Sequence, residues 1–271
     1  MLLYQQTQSW IETPDGLLSK AMGFLGKPVD FAYRAVPEKI KESLSQTLYQ
    51  VLLQVRDHSR DTVRRQALYD KISQVVGIDA SQPQNLARLP FRVLDKAALQ
   101  IIGAHRQLAM VQGGVTGAVG LPGLIADVPS LYFLIFRCVE EVACCYGFPA
   151  DSESERDHVL KVVDIGHFLE SVNKRKGMLE LESFDELARR GAPVKDLERT
   201  VVAKSLQGLS RQLSSRLVQR KLAQTMAVVG ALIGASVNSA LVSDVGTTAF
   251  HAYRRRRLRQ LALRRKSLAV D

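Results

Sequence analysis

The clearest chemistry in this sequence of 271 residues is carried by basic side chains near its C-terminal end. Residues 251–271 contain seven arginines, one lysine and one acidic residue. Guanidinium and ammonium groups bind phosphate, so this cluster predicts contact with anionic lipid headgroups or with the phosphates of a nucleic acid. The predicted contact residues are Arg254, Arg255, Arg256, Arg257, Arg259, Arg264, Arg265 and Lys266.

The composition favours a membrane over a nucleic acid as the partner of this cluster. Aromatic residues make up only 6% of the chain, which leaves few rings on which bases could stack. No helix-turn-helix pattern accompanies the arginines. We therefore predict an anionic membrane surface as the partner, with nucleic acid less favoured. A solvated tail without a partner is the remaining alternative.

Side chains that could support catalysis or bind a metal form no recognisable pattern. No two of the five histidines have the His-x-x-x-His spacing of a helical metal site. His167 and Glu170 could share a helix face, but a carboxylate-bridged site needs a second such pair. The run from Gly23 to Lys27 is too short for a phosphate-binding loop, and no Gly-x-Ser-x-Gly elbow occurs. The sequence thus predicts a protein without enzymatic activity, metal or cofactor.

The charge is distributed unevenly along a chain of ordinary globular composition. The net charge is +10, with 46% hydrophobic and 24% charged residues. Residues 199–271 hold 14 basic and two acidic side chains, and residues 1–198 hold 23 basic and 25 acidic ones. The three cysteines lie in one apolar stretch and do not resemble a disulfide framework. They predict a reducing compartment, so we expect a cytoplasmic protein that is peripheral to the inner membrane.

The elements that must position these residues are helices. Apolar residues recur at three- and four-residue spacing through most of the chain, and the strict alternation typical of strands is scarce. Ser152 and Glu155 form a capping-box pattern, and Gly77 is typical of a helix end. The sequence predicts an all-α fold: a multi-helix bundle built around two glycine-rich apolar helical regions.

Two long uncharged stretches, residues 107–126 and 222–243, form the centre of the predicted bundle. Each is long enough to cross a bilayer core of about 30 Å, but neither is apolar enough to predict a spanning helix. A break near Pro122 to Pro129 makes the first region a predicted helical hairpin. We expect the two regions to pack against each other.

The domain organisation follows from where the helical pattern is interrupted. Prolines and glycines interrupt it in the first part of the chain, and no linker is long enough to force two domains. We expect residues 1–30 to form an N-terminal appendage and residues 31–271 to form a single domain. Its basic C-terminal tail begins at about residue 251.

Small and polar residues within the two apolar regions have more than one predicted role. Glycines at three- and four-residue spacing allow helix backbones to approach closely, either in a membrane or in a tight soluble core. Asp127 is predicted to cap the helix that follows it, although it could instead pair with a buried cation or bind a ligand. Asn238 is predicted to form a hydrogen bond between helices, with a ligand contact as the alternative.

The segment from Gly113 to Phe148 resembles the EcsC family of bacterial proteins. The shared features are a glycine-rich run, a Pro-Gly pair, an aspartate, an apolar helix and a closing Tyr-Gly pair, followed later by a second glycine-rich run with an asparagine. In this sequence they are Gly113, Gly117, Gly120, Pro122, Gly123, Asp127, Tyr146, Gly147, Gly230, Gly234 and Asn238. The resemblance extends over about residues 35–260. It implies membrane association and no enzymatic activity. The family takes its name from an operon that also encodes an ABC transporter, which implies an accessory role in a transport or envelope assembly.

The predicted function is that of a non-enzymatic, membrane-associated helical protein. It would bind the inner membrane surface, and its lipid contacts would come from its glycine-rich hairpins and its basic tail. The alternative is a soluble helical scaffold or protein-interaction module whose apolar helices serve only its own core. Burial distinguishes the two hypotheses, because a contiguous exposed apolar face favours the membrane.

Overall fold

The structure is a computed structural model, and it describes the following parts of the chain: residues 2–12, 37–77, 83–86, 89–119, 121–167, 171–189, 204–211, 214–215 and 230–267. Within these ranges some side chains lie outside the description, among them those of residues 116–127 and 230–234. Every regular element of the described residues is a helix, and no strand occurs among them. The predicted all-α fold class is confirmed.

The helices are numbered here in chain order. They are α1 (Leu2–Glu12), α2 (Glu38–Ser59), α3 (Arg65–Val76), α4 (Pro83–Leu86), α5 (Phe91–Val119), α6 (Leu121–Cys145), α7 (Glu153–Gly166), α8 (Ser171–Arg189) and α9 (Gly230–Ser267). A short 3₁₀ turn, Arg60–Thr62, follows α2, and residues 204–211 are also helical.

Local signals in the sequence explain several helix ends. Gly77 ends α3 in the left-handed conformation, with φ of 67°, as its position predicted. Ser152 caps α7, since its hydroxyl accepts a hydrogen bond from the backbone N–H of Glu155 at 3.2 Å. The Glu155 side chain does not complete the capping box, because both of its oxygens accept from Arg256.

The core of the bundle lies between α5, α6 and α9, which contain the two apolar regions. Tyr132 and Phe136 of α6 and Tyr253 of α9 are among its fully buried side chains. Gly114 of α5 faces Ala235 near the start of α9, and Gly246 of α9 faces Ile102 of α5. The two helices therefore run in opposite directions, and the predicted packing of the two apolar regions is confirmed.

The remaining helices surround this core. Helix α2 packs on α6, α7 packs on α6 and α9, and α8 packs on α7. At the contact of α7 with α9, Gly166 lies against the backbone of Val245. Helix α1 packs on α8 and α9, where Trp10 stacks on His251 with ring centroids 4.5 Å apart. The described part of the predicted appendage is thus part of the bundle, and the predicted tail boundary at residue 251 falls inside one continuous helix.

The break in the first apolar region lies earlier than the sequence suggested. Helix α5 ends at Val119 and α6 begins at Leu121, so that Pro122 falls in the first turn, where no N–H is needed. Pro129 lies inside α6 rather than at a break. Asp127 is therefore in the second turn of α6, not at the N-cap position that was predicted for it.

Candidate functional site

Most of the exposed apolar surface of the described residues belongs to α5. Eight large apolar side chains are exposed among these residues, and five of them lie on this helix. They are Leu99, Leu108, Met110, Val111 and Val115, with exposed fractions between 49% and 65%. Leu108, Val111 and Val115 are three and four residues apart, which places them on one face. Leu99 and Met110 lie on another side of the same helix. An exposed apolar face such as that of Leu108, Val111 and Val115 is typical of a binding surface.

The same end of the bundle carries almost no charge. Residues 107–136 of α5 and α6 include one charged residue, Asp127, and residues 230–243 of α9 include none. A solvated surface of average composition would place about ten charges in segments of this length. Gln112 of α5 donates to Ser130 of α6 at 2.7 Å, which holds two of these segments together. We call residues 107–136 and 230–243 the low-charge end.

The low-charge end of α5 is shorter than the hydrocarbon core of a bilayer. Its part of α5, residues 107–119, rises by about 20 Å at 1.5 Å per residue, which is less than a hydrocarbon core of about 30 Å. Over the described residues, no helix combines the length and the apolar character that crossing a bilayer requires.

Exposed basic side chains lie along α5, from its first turns to the boundary of this end. Arg92, Lys96 and Arg106 are exposed, and none of them forms an ion pair or a side-chain hydrogen bond with another described residue. Arg106 directly precedes the low-charge end. These residues lie on the same side of α5 as Leu99 and Met110. Positions 92, 96, 99, 103, 106 and 110 are separated by steps of four and three residues, and such steps return to one side of a helix. We call Arg92, Lys96 and Arg106 the basic stripe.

The C-terminal arginines are folded into the opposite end of the bundle. Arg254, Arg255 and Arg257 are between 5% and 7% exposed. Arg254 donates to Asp95 of α5 at 2.7 Å, and Arg255 forms an ion pair with Glu182 of α8. A buried guanidinium that is already paired with a carboxylate has no face to offer to a lipid headgroup.

The other members of the predicted cluster differ in their surroundings. Arg256 donates two hydrogen bonds to Glu155 at 2.6 and 2.7 Å, and Arg257 donates to Gln260 at 2.7 Å. Arg259 pairs with Glu182 and Arg264 is exposed, whereas the side chains of Arg265 and Lys266 lie outside the described residues. The structure therefore assigns Arg254 to Arg257 to contacts within the chain rather than to the exposed lipid-contact surface that the sequence suggested.

A buried imidazole lies within this charged end. His158 Nδ1 is 2.9 Å from Asp185 Oδ1, and the His158 ring lies 5.0 Å from that of Tyr253. Burial alone would raise the pKa of Asp185, but His158 and Arg256 lower it below its usual value. The guanidinium of Arg256 also lies over the ring of Phe148 at 4.3 Å. These contacts join α7, α8 and α9 into one charged cluster.

The Tyr-Gly pair of the sequence motif has a structural role at the end of α6. Gly147 has φ of 85°, and the N–H groups of Gly147 and Phe148 donate to Cys144 and Ala143 in a Schellman motif. The hydroxyl of Tyr146 donates to Asp95 at 2.6 Å. Burial and the neighbouring Asp95 carboxylate raise the pKa of Tyr146 well above its usual value, which keeps the phenol protonated as a donor.

The structure describes only some of the other motif residues. Gly113 is buried in α5, and Asn238 is fully buried in α9, where it has an interaction partner. Gly120 lies outside the described residues. For Gly117, Pro122, Gly123, Asp127, Gly230 and Gly234 only the helical backbone is described.

One buried polar pair was not predicted from the sequence. Ser59 at the end of α2 donates to Glu140 of α6 at 2.8 Å, and both residues are nearly fully buried. Burial raises the pKa of Glu140 to about 7, although the hydrogen bond from Ser59 lowers it in part. The signal that could have found this residue is a carboxylate inside an otherwise apolar helix.

The cysteines of the same helix are buried thiols. Cys138, Cys144 and Cys145 are free and at most 2% exposed. Burial raises the pKa of Cys144 to about 12 and raises those of the other two thiols as well. A protonated, buried thiol is unreactive, so these three side chains contribute to the packing of the core.

Comparison with known proteins identifies the family of the chain. The profile of the EcsC protein family matches residues 5–258, which include most of α1 and most of α9. A Bacillus subtilis (strain 168) protein named uncharacterized protein YdbA is 27% identical over 103 residues, and the match covers 38% of this chain and 38% of that protein. No solved structure matches the chain. Because the family profile covers nearly the whole sequence, the chain belongs to the EcsC protein family.

Proposed function

We propose that this protein is a non-enzymatic, membrane-associated helical protein that docks on the inner membrane surface through the low-charge end of α5. The observation that carries the proposal is the coincidence of exposed aliphatic side chains with the low-charge end. Leu108, Val111 and Val115 are exposed where the neighbouring segments of α5, α6 and α9 offer almost no charge to water. The proposed contact therefore lies at the end of the bundle opposite the arginine cluster.

The energetics of this surface support an interfacial location. Full burial of a Val, Leu or Met side chain contributes about 1.5–3 kcal/mol. The four exposed side chains at the end of α5 are each about half exposed, so their transfer into the interface would contribute roughly 4 kcal/mol. An end about 20 Å long enters one leaflet without crossing the bilayer. The exposed Leu99 and Met110 on the side of α5 favour an oblique helix over a perpendicular one.

The location and partners of the protein are part of the same proposal. Buried, protonated thiols fit a reducing compartment, and we place the docked surface on the cytoplasmic face of the inner membrane. The family resemblance adds an accessory role beside a transport or envelope assembly. The docking experiment depends neither on this location nor on this accessory role.

The experiment is flotation of the purified chain of 271 residues with vesicles of neutral phosphatidylcholine at high salt, which isolates apolar binding. The test variant carries Leu108→Gln, Val111→Gln and Val115→Gln, because glutamine is a good helix former and the positions are exposed. The matched control changes the three exposed leucines on α8 and α9: Leu179→Gln, Leu187→Gln and Leu263→Gln.

We expect the wild type and the control to float and the α5 variant to lose at least tenfold in partitioning. Circular dichroism should show equal helicity for all three proteins. A wild type that does not float, or equal flotation of both triple variants, would overturn the proposal. The first result would favour the soluble scaffold.

A further inference from the structure

We propose that the basic stripe of α5 binds the phosphate groups of anionic lipids, so that the protein selects anionic over neutral bilayers. This inference rests on the docking function proposed above and adds the headgroup chemistry that the docked surface recognises. It transfers to Arg92, Lys96 and Arg106 the electrostatic role that the sequence suggested for the C-terminal arginines.

The first argument is that the charges of the stripe are available. All three side chains are exposed, and no ion pair or side-chain hydrogen bond joins any of them to another residue in the part of the chain that the structure describes. The acidic residue next to them, Asp95, is already engaged, since its two oxygens accept from Tyr146 and Arg254. The field above this stretch of α5 is therefore positive.

The second argument is the position of the stripe relative to the aliphatic side chains. Leu99 and Met110 are exposed on the same stripe as the three cations, and Arg106 stands at the boundary of the low-charge end. Interfacial helices combine an aliphatic face with cations whose long stems reach up to the headgroups. Leu108, Val111 and Val115 lie about 130° around α5 from the stripe at 100° per residue, so the two sets flank the exposed side of the helix. With α5 lying obliquely, the aliphatic flank would face the acyl chains, and the long basic side chains of the other flank would reach lipid phosphates.

The third argument is magnitude. A cation near an anionic lipid surface strengthens partitioning by about fivefold, so three cations should give roughly a hundredfold preference. Apolar insertion does not depend on headgroup charge, so its effect appears with neutral lipid. The two contributions can be separated by lipid composition and by salt.

The experiment compares partitioning onto phosphatidylcholine vesicles with and without about one third phosphatidylglycerol, at low and high salt. The test variant carries Arg92→Gln, Lys96→Gln and Arg106→Gln. The matched control removes the same charge from exposed residues on α2, α8 and the segment before α3, through Lys39→Gln, Lys176→Gln and Arg64→Gln. A third protein, Arg106→Lys, keeps the charge and should keep the preference.

We expect a preference of the wild type for anionic vesicles of roughly a hundredfold at low salt, which salt weakens. The stripe variant should lose most of this preference and keep its binding to neutral vesicles, and the control should keep the preference within about threefold. Equal anionic preference in the stripe variant and the wild type would overturn the inference. An equal loss in the control would also overturn it, because net charge alone would then explain the binding. In both cases binding to neutral vesicles would leave the docking function standing.

Discussion

Arg254 donates a hydrogen bond to Asp95 at 2.7 Å, although 159 positions of the chain separate the two residues. The other Asp95 oxygen accepts from Tyr146, and Arg254 also donates to Gln6 of α1 at 3.0 Å. This network joins α1, α5, the end of α6 and α9. It accounts for the burial of Arg254 and gives the Tyr146 hydroxyl its acceptor at the end of α6.

Removal of one partner from this network should destabilise the fold strongly. Asp95→Ala leaves the buried guanidinium of Arg254 without its carboxylate, and the loss of a partner in a buried ion pair costs about 3–5 kcal/mol. We expect the free energy of unfolding, measured with urea, to fall by about that amount. The double variant Asp95→Leu with Arg254→Met should recover part of the loss, because no unpaired charge remains.

The control for this prediction is an ion pair that water can reach. Arg189 donates to Glu186 at 2.6 Å, but both side chains are about half exposed. Arg189→Gln should therefore leave the free energy of unfolding nearly unchanged. An Asp95→Ala variant as stable as Arg189→Gln would show that the buried network does not hold the four elements together.

Glycine positions at helix crossings give a second prediction. A methyl group added at Gly166 would lie 2.7 Å from the Cα atom of Val245, which belongs to the backbone of α9 and cannot move aside. Gly166→Ala should therefore lower the free energy of unfolding by about 1–3 kcal/mol through overpacking. Thermal unfolding followed by circular dichroism measures the effect.

Gly103 provides the matched control, because it is also a helical glycine and nothing lies within 4 Å of an added Cβ atom. Gly103→Ala should stabilise the protein by about 0.5–1 kcal/mol, since alanine has the higher helix propensity. If Gly103→Ala lost as much stability as Gly166→Ala, then replacing any helical glycine would be destabilising. The close contact of Gly166 with α9 would not be the cause.

The fold and the site differ in how far the sequence predicts them. Apolar periodicity and end signals such as Gly77 and Ser152 depend on neighbouring residues, so the helices and the packing of the two apolar regions could be predicted. Whether Arg254 is buried and paired depends on Asp95, which is distant in the chain. A run of arginines has the same local pattern whether its partners are carboxylates or lipid phosphates.

The same limit applies to the exposed side of α5. Leu108 and Val111 have the spacing of core residues, and only the positions of α6 and α9 show that they face outward. Glu140 shows the reverse: a charged residue is typical of a surface, but this side chain is buried. In each case the contacts that decide burial come from other helices.

Glu140 predicts a pH dependence of stability with a defined sign. Burial raises the pKa of this carboxyl from 4.5 to about 7 in the folded chain. Below about pH 4.5 the Glu140 carboxyl is protonated in both the folded and the unfolded chain, and its contribution to the free energy of unfolding is fully present. As the pH rises to about 7, only the unfolded chain releases its proton, so this contribution of roughly 3 kcal/mol is lost.

The variant Glu140→Gln tests this dependence because it cannot ionise. Between pH 4.5 and 7.5, the wild type should lose stability relative to Glu140→Gln in urea unfolding experiments. The exposed change Asp70→Asn on α3 serves as the control and should keep the pH dependence of the wild type. Parallel stability curves for the wild type and Glu140→Gln would contradict the prediction.

Acid should release α1 from the bundle, and the single tryptophan of the chain can report the release. Trp10 stacks on His251, and burial, followed by the charges of Arg254 and Lys174, lowers the pKa of His251 from 6.5 to about 3. Docked α1 therefore keeps the imidazole neutral, whereas an exposed imidazole takes up a proton near pH 6.5. The stability of the docked state is fully present above pH 6.5 and is lost as the pH falls toward 3. We expect a red shift of Trp10 emission over this range.

His251→Phe keeps a ring for stacking but removes the proton-binding site, so its emission should change much less. The variant His58→Gln, at an exposed histidine of α2, should retain the transition of the wild type. If the wild type and His251→Phe shared one midpoint, protonation of His251 would not be what releases the helix.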